Sequence, residues 1–478
     1  MSFNINFSND KDIFILFFGR VLQTFLSLVA IRVITTFFST DQIGNYYLIL
    51  SIGFFFSYIL LNPIAMFFSR HLVGWRLSKQ VFNAFFLFFS YILVSSLIAV
   101  IFSYFLYYIL DYQAKFELAE FLVVICFVVI ISTTHRNLLT GINILQSRLV
   151  FIVAMIITLS LSLLTSVSLI YFYDPKAINW FYGILFAEFI TLPFILNYFL
   201  SGYKLSFSII LKKLTRSKVK NVVSFSAPIA LTNIFLWGQL YLYRIIVDYK
   251  YSDDVLGIIG VALAISTAVF AAVENIIMQY YYPIFLGKIH NASSKTITNA
   301  WSDMASKIIP IYILTALFVI SMAANLLVIL VDEAFHYVYT FTMIGVGIEF
   351  FRVMTNLLNQ LLQAEYKTKL SIFPYFVGVM ITFSLLLLID FTEHLNGIIW
   401  VLTLGGFLIF MCMLLRIYSF TSINLNINFK KISLLVCPFL IYILLGINLY
   451  PLYTSLIIIV ISCLYLLFAV VTVNNNSA

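Results

Sequence analysis

Charge is what this 478-residue chain has least of: 10% of its residues are Asp, Glu, Lys or Arg, against 63% hydrophobic. A soluble domain is about 25% charged. A chain of this length could not cover a water-facing surface with so few charges, which excludes a soluble enzyme. Disorder, a collagen-like fibre and a disulfide scaffold are excluded by 50 Phe, 30 Tyr and long apolar runs. Cysteine is scarce as well. Cys126, Cys412, Cys437 and Cys463 sit in apolar segments without CxxC or Cys/His spacing, and so read as small core fillers rather than disulfide partners or metal ligands. The chain also lacks a GxxxxGK[ST] loop, an HExxH, a GxSxG and any Cys/His cluster, so direct ATP hydrolysis is unsupported and no cofactor is expected.

What is present is hydrocarbon, with a mean hydropathy of +1.06. The apolar runs are continuous and lack period-two alternation, which excludes a β-barrel and predicts an all-α polytopic membrane protein. A polar N-terminus leads into an apolar stretch of roughly 25 residues, too long for a signal-peptide core and without a small-residue cleavage site. It is expected to be a retained membrane helix. Fourteen spans are predicted. The first six are 12–37, 43–68, 81–110, 116–139, 149–173 and 178–200. The next six are 222–247, 255–286, 305–331, 335–363, 371–390 and 396–418. The last two, 432–449 and 452–473, flank Pro451 in a very short turn, which leaves open a single re-entrant hairpin.

The 27 basic residues orient the spans, because Lys and Arg concentrate in cytoplasmic loops. One side holds Lys11, Arg70, Arg76, Lys79, Arg148, six residues between Lys204 and Lys220, and the later Lys288, Lys295, Lys367, Lys369, Arg416, Lys430 and Lys431. The other side holds only Lys115, Lys176 and Lys250, among many acids. Both termini are therefore expected in the cytoplasm.

Segment 202–221 carries no acid at all. It reads as a cytoplasmic linker held against anionic lipid, with a nucleic-acid or headgroup site as the sharper alternative. As a linker it divides the chain into an N-terminal lobe (1–201, spans 1–6), a C-terminal lobe (222–418, spans 7–12) and a final pair with its tail (419–478). The lobes echo each other. Arg32 precedes Ser39, Asp41 and Gly44 much as Arg244 precedes Ser252, Asp254 and Gly257. Asn137-Leu138-Leu139 and Gln146 similarly match Asn356-Leu357-Leu358 and Gln363. With six spans between the copies, the lobes would be related by a pseudo-two-fold along the membrane normal.

Charges inside spans are functional candidates, since each costs at least about 2.5–3.5 kcal/mol at the bilayer centre. The basic ones are Arg20, Arg32, Arg136, Arg244, Lys307 and Arg352; the acidic ones are Glu120, Glu188, Glu274 and Glu349. Glu349, Arg352, Asn356, Asn359, Gln360 and Gln363 follow three- and four-residue steps and make a polar stripe on span 10, which must line water or pair with another helix. These charges could simply neutralise one another, Glu349 with Arg352 above all. The basic surplus across the set favours a cationic cavity for an anion, since arginine binds phosphate through paired donors. His135 could carry a proton beside Arg136, or serve as a hydrogen-bonded helix-end residue.

Gly19-Arg20-Val21-Leu22-Gln23, Ala30-Ile31-Arg32-Val33, Gly44-Asn45-Tyr46-Tyr47, Leu61-Asn62-Pro63 and Ser69-Arg70-His71-Leu72 together resemble the N-terminus of Wzx-type O-antigen flippases, members of the multidrug/oligosaccharidyl-lipid/polysaccharide (MOP) exporter superfamily. The resemblance implies a transporter, not an enzyme. It would move an undecaprenyl-diphosphate-linked O-antigen or related repeat unit across the bacterial inner membrane by alternating access through a cationic cavity. Arg20, Arg32, Arg136, Arg244, Arg352, Asn356, Asn359 and Gln360 are the expected substrate contacts. For coupling to H+ or Na+, the available carriers are Glu188, Glu274, Glu349 and His135. Implied partners are the lipid-linked oligosaccharide, membrane lipids and the polysaccharide polymerase machinery, with no nucleic acid. Spans 13 and 14 resemble the extra pair of the related lipid II flippases. Two alternatives compete: a cation-coupled drug exporter, which calls for an acidic cavity, and a glycan polymerase or ligase, which calls for a large external loop.

Overall fold

A computed structural model describes residues 10–203, 215–289 and 293–474. The side chains of Lys11 and Lys218, and the basic segment 204–214 with Lys204, Lys212 and Lys213, lie outside what it describes. Each expected span is one helix. The first seven are α1 (Asp10–Phe37), α2 (Thr40–Leu77), α3 (Val81–Ile109), α4 (Leu118–Ile144), α5 (Arg148–Phe172), α6 (Ala177–Leu200) and α7 (Val219–Lys250). The others are α8 (Asp253–Ile289), α9 (Ser294–Leu330), α10 (Tyr339–Ala364), α11 (Thr368–Leu388), α12 (Asn396–Tyr418), α13 (Phe429–Leu444) and α14 (Leu452–Asn474). There is no strand among the described residues.

Thirteen of these helices are long and apolar enough to cross a membrane. The exception is α13, whose 16 residues contain Pro438. At 1.5 Å per residue it reaches about 24 Å, short of a hydrocarbon core of about 30 Å. The final pair is thus two helices, one of them short. Both pack on α9, and a polar clasp fixes them there: Asn325 donates to Tyr442 Oη at 3.0 Å and accepts from Ser455 Oγ at 3.0 Å.

Three even-numbered helices close in the same way. Lys79, Gln146 and Tyr366 take left-handed φ values of 55°, 65° and 56°. The next amide then reaches back across the turn: Gln80 N to Trp75 O, Ser147 N to Ile142 O, and Lys367 N to Leu362 O. These are Schellman closures, which satisfy the last carbonyls and turn the chain sharply into the following helix.

The chain forms two compact units. The first comprises residues 1–26 and 45–237, the second 27–44 and 238–478. In the first unit, Gly183 of α6 lies against the Ser166 backbone of α5, so near that any Cβ would collide. Small residues allow this approach, and Thr165 Oγ1 donates across it to Gly183 O at 2.7 Å. The first part of α7 packs along α2, where a π-helical turn at Ser57–Leu61 frees carbonyls from the helix ladder. Side chains meet them: Asn233 Nδ2 donates to Tyr58 O at 2.8 Å and Tyr91 Oη to Leu60 O at 2.7 Å.

In the second unit, the turn entering α2 meets the turn entering α8. A Cβ on Gly44 would strike the Asp253 backbone, and a Cβ on Gly257 would strike the Thr40 backbone. Thr40 Oγ1 donates to the Asp254 carboxylate beside this contact. These are the two turns that the sequence repeat aligns.

Candidate functional site

The polar stripe of α10 pairs with α8. On α8, Thr267, Glu274 and Met278 are spaced by seven and four residues and so share one face. Against them stand Glu349, Arg352, Asn356 and Gln360 of α10. Thr267 Oγ1 donates to Glu349 Oε1 at 2.7 Å, and Arg352 Nε donates to Glu349 Oε2 at 2.7 Å. Arg352 Nη1 donates to Glu274 Oε2 at 2.8 Å, and Asn356 Nδ2 to Glu274 Oε1 at 2.9 Å. Gln360 Nε2 closes the row on Met278 Sδ at 3.2 Å. The three charged side chains are 8–20% exposed, so water screens them little. Two carboxylates share one guanidinium, which leaves the seam one negative charge in excess. Asn359 is part-buried and takes no part in these bonds.

In the first unit, α4 and α6 carry two polar layers one turn apart. Ser132 Oγ donates to the Glu188 carboxylate in one layer. In the next, His135 Nε2 lies 3.2 Å from Thr191 Oγ1 and 3.1 Å from Thr158 Oγ1 of α5, and Thr158 donates to Thr191 at 3.1 Å. Each residue of the second layer is three positions beyond its counterpart in the first, so the helices run parallel and in register. A π-helical turn, Val128–Ser132, ends at Ser132 and sets the face from which it meets α6.

The remaining arginines are distributed over both units. Arg20 donates from Nη1 to Gln23 Oε1 at 2.7 Å and lies over the Phe151 ring at 5.7 Å. Its Nε, like Arg32 Nη1, is buried without a hydrogen-bond partner. Arg136 is exposed. Arg244 lies over the rings of Tyr241 and Tyr243 at 5.1 and 5.7 Å. Arg20, Arg32 and Arg136 form no ion pair among the described residues. Arg20, His135, Arg136 and Glu188 belong to the first unit; Arg32, Arg244, Glu274, Glu349, Arg352, Asn356, Asn359 and Gln360 belong to the second.

Sequence reasoning missed Thr267 and Met278, although their spacing from Glu274 marks the same helix face. It also missed Ser132, Thr158 and Thr191. An ordinary helical repeat gives no cue to Ser132, because the π-helical turn changes the phase.

Thirteen helices long and apolar enough to cross a membrane, in two compact units, make a two-lobed all-α membrane-protein fold like that of MurJ and MATE transporters. Among solved structures, the chain is similar to the lipid II flippase MurJ in its inward closed conformation, with a TM-score of 0.69 and 15% identity over 95% of this chain and 97% of that one. A multidrug resistance MATE family transporter in an inward-facing conformation gives 0.59 and 12% over 85% and 98%. A MOP superfamily transporter from Pyrococcus furiosus, described as having a binding pocket of reverse polarity, gives 0.55 and 13% over 85% and 94%. No family model and no curated protein matches the chain.

Proposed function

We propose that the protein is a flippase for a polyprenyl-diphosphate-linked oligosaccharide, of the O-antigen repeat-unit type, in a bacterial inner membrane with both termini cytoplasmic. One observation carries the reading: Arg20, Arg32 and Arg136 lie on spanning helices with no carboxylate in ion-pair reach among the described residues. A fixed cation at membrane depth calls for an anion, and a diphosphate offers oxygens to the paired donors of a guanidinium. Asn359 and Gln360 would add hydrogen bonds to sugar hydroxyls. Arg352 takes a different part from the one its position suggests, because two carboxylates already hold it.

Alternating access would carry the diphosphate and glycan from one leaflet to the other while the prenyl chain stays in lipid. Support comes from the N-terminal resemblance to O-antigen flippases and from the likeness of the fold to a lipid II flippase. The test is a deletion strain. Lipid-linked repeat units should accumulate on the cytoplasmic leaflet, and the wild-type gene, but not an Arg20→Ala copy, should clear them. Unchanged lipid-linked pools on deletion would remove the reading.

A second reading, a cation-coupled drug exporter, draws on the acidic excess of the α8–α10 seam and on the MATE likeness. It predicts raised sensitivity to cationic drugs in the deletion strain, with normal lipid-linked pools.

A further inference from the structure

We infer that a groove between α4 and α5, floored by α6, binds one phospholipid with a primary-ammonium headgroup, of the phosphatidylethanolamine kind. Helices α4 and α5 are joined by the tight turn at 145–147, and His135 of α4 lies 3.1 Å from Thr158 Oγ1 of α5. Beyond that bond the two helices part. The stretch of α4 before its π-helical turn packs mainly on α3 and α6. Between it and the second half of α5 lies a cavity of about 660 Å³.

The walls select hydrocarbon. Val123 and Phe127 of α4, Leu164 of α5, and Phe186 and Phe189 of α6 line the cavity and are 41–65% exposed. The wall hydroxyls below the rim are already engaged: Thr165 donates to Gly183 O at 2.7 Å and Ser168 to Leu164 O at 2.8 Å. A water there would lack the two to four polar partners it needs. A second protein's helix approaches closely only over small residues, and the phenylalanines hold a backbone away. A flexible chain can lie between them. The lining runs along α4 from Val123 to Ile131, about 12 Å at the helical rise. Half of a hydrocarbon core is about 15 Å, so the groove has the depth of one leaflet and suits an acyl chain.

Charge selects the headgroup. Glu120 stands one turn before Val123 on the same face of α4 and is part-buried; Glu117, just before the helix, is exposed. Both carboxylates act electrostatically on the hydroxyl of Tyr182, which lines the cavity at the same end. Neither has an ion pair among the described residues. A primary ammonium brings three N–H donors to carboxylates placed directly above an apolar groove. A phosphatidylglycerol or a prenyl diphosphate would set anion against anion, and a quaternary choline has no N–H to donate. The site is separate from the α8–α10 seam and does not depend on which substrate the protein moves.

The test is native mass spectrometry of the purified full-length protein, released from nanodiscs of phosphatidylethanolamine and phosphatidylglycerol in equal parts with identical acyl chains. The wild type should retain one phosphatidylethanolamine in several-fold excess over phosphatidylglycerol. Glu117→Gln with Glu120→Gln should abolish that preference while some lipid is still retained. Ser168→Trp, at an exposed position facing the groove, should fill it and lower retention of either lipid several-fold. A second readout needs no blocked groove. In Phe186→Trp, brominated acyl chains on phosphatidylethanolamine should quench the added fluorescence more than those on phosphatidylglycerol, and equally once both glutamates are changed. Equal retention by the wild type, a preference that survives the double Gln change, or retention unaffected by Ser168→Trp overturns the proposal.

Discussion

Arg352 on α10 and Glu274 on α8 are joined at 2.8 Å, and the same guanidinium holds Glu349 at 2.7 Å. One side chain therefore both closes the seam between two spanning helices and neutralises half of its negative charge.

Removing that side chain should cost stability before it costs transport. Arg352→Ala would strand two buried carboxylates, and breaking a buried pair destabilises by about 3–5 kcal/mol. A lower melting temperature and lower membrane abundance are expected for Arg352→Ala. The triple change Arg352→Met, Glu274→Gln, Glu349→Gln should recover both, since an apolar or neutral replacement of the whole set removes the unpaired charge. Wild-type abundance in the single variant would show that the seam is dispensable for folding.

Arg20 should behave in the opposite manner. Its guanidinium contacts only Gln23 and the Phe151 ring in the described structure. On the flippase proposal, Arg20→Ala should leave membrane abundance unchanged and abolish surface-glycan display. Arg20→Lys should restore part of the display if the field alone matters, and little if paired donors do. Immunoblots of the membrane fraction and of the surface glycan read the two quantities separately.

The contact of the α2 and α8 entry turns tolerates no Cβ. At Gly257 the obstacle is the Thr40 backbone, which cannot rotate away as a side chain would. Gly257→Val should push the two turns apart. Cysteines placed at Thr40 and Asp254 should cross-link readily in the parent and several-fold less when Gly257→Val is added. Equal cross-linking would mean the contact does not form in the membrane.

Tyr366 offers a gain. It is 88% exposed with a φ of 56°, so its ring contributes little packing while its Cβ strains the backbone. A left-handed residue other than glycine costs about 1–2 kcal/mol. Tyr366→Gly should raise the melting temperature, provided that the Schellman closure on Leu362 is kept. A drop would assign the ring a role at the membrane surface.

The positions of the spans were legible because the bilayer demands a long apolar run, and every such run in the sequence is a helix. Their ends were less so. Helix α9 starts at Ser294, eleven residues before the apolar run at 305, since a helix continues wherever one face can pack. Trp301, fully buried on that extension, donates from Nε1 to Leu357 O at 2.9 Å. Within the site, the Glu349–Arg352 pair could be read from a three-residue spacing on one helix. Glu274 as the third member could not, because nothing in sequence says which face of α8 meets α10. The Ser132–Glu188 pair was hidden twice, by the π-helical turn before Ser132 and by a partner 56 positions away.

The two entry turns have one more property. Gly44 meets Asp253, and Gly257 meets Thr40; in the repeat, Gly257 is the counterpart of Gly44 and Asp253 the counterpart of Thr40. Each glycine thus touches the equivalent of the residue that its own counterpart touches, which is how identical subunits meet across the two-fold axis of a homodimer. A gene for half of this chain, encoding a product that paired with itself through this turn, would after duplication and fusion leave such an arrangement. The contact that joins the turns within one polypeptide thus has the form of a symmetric subunit interface.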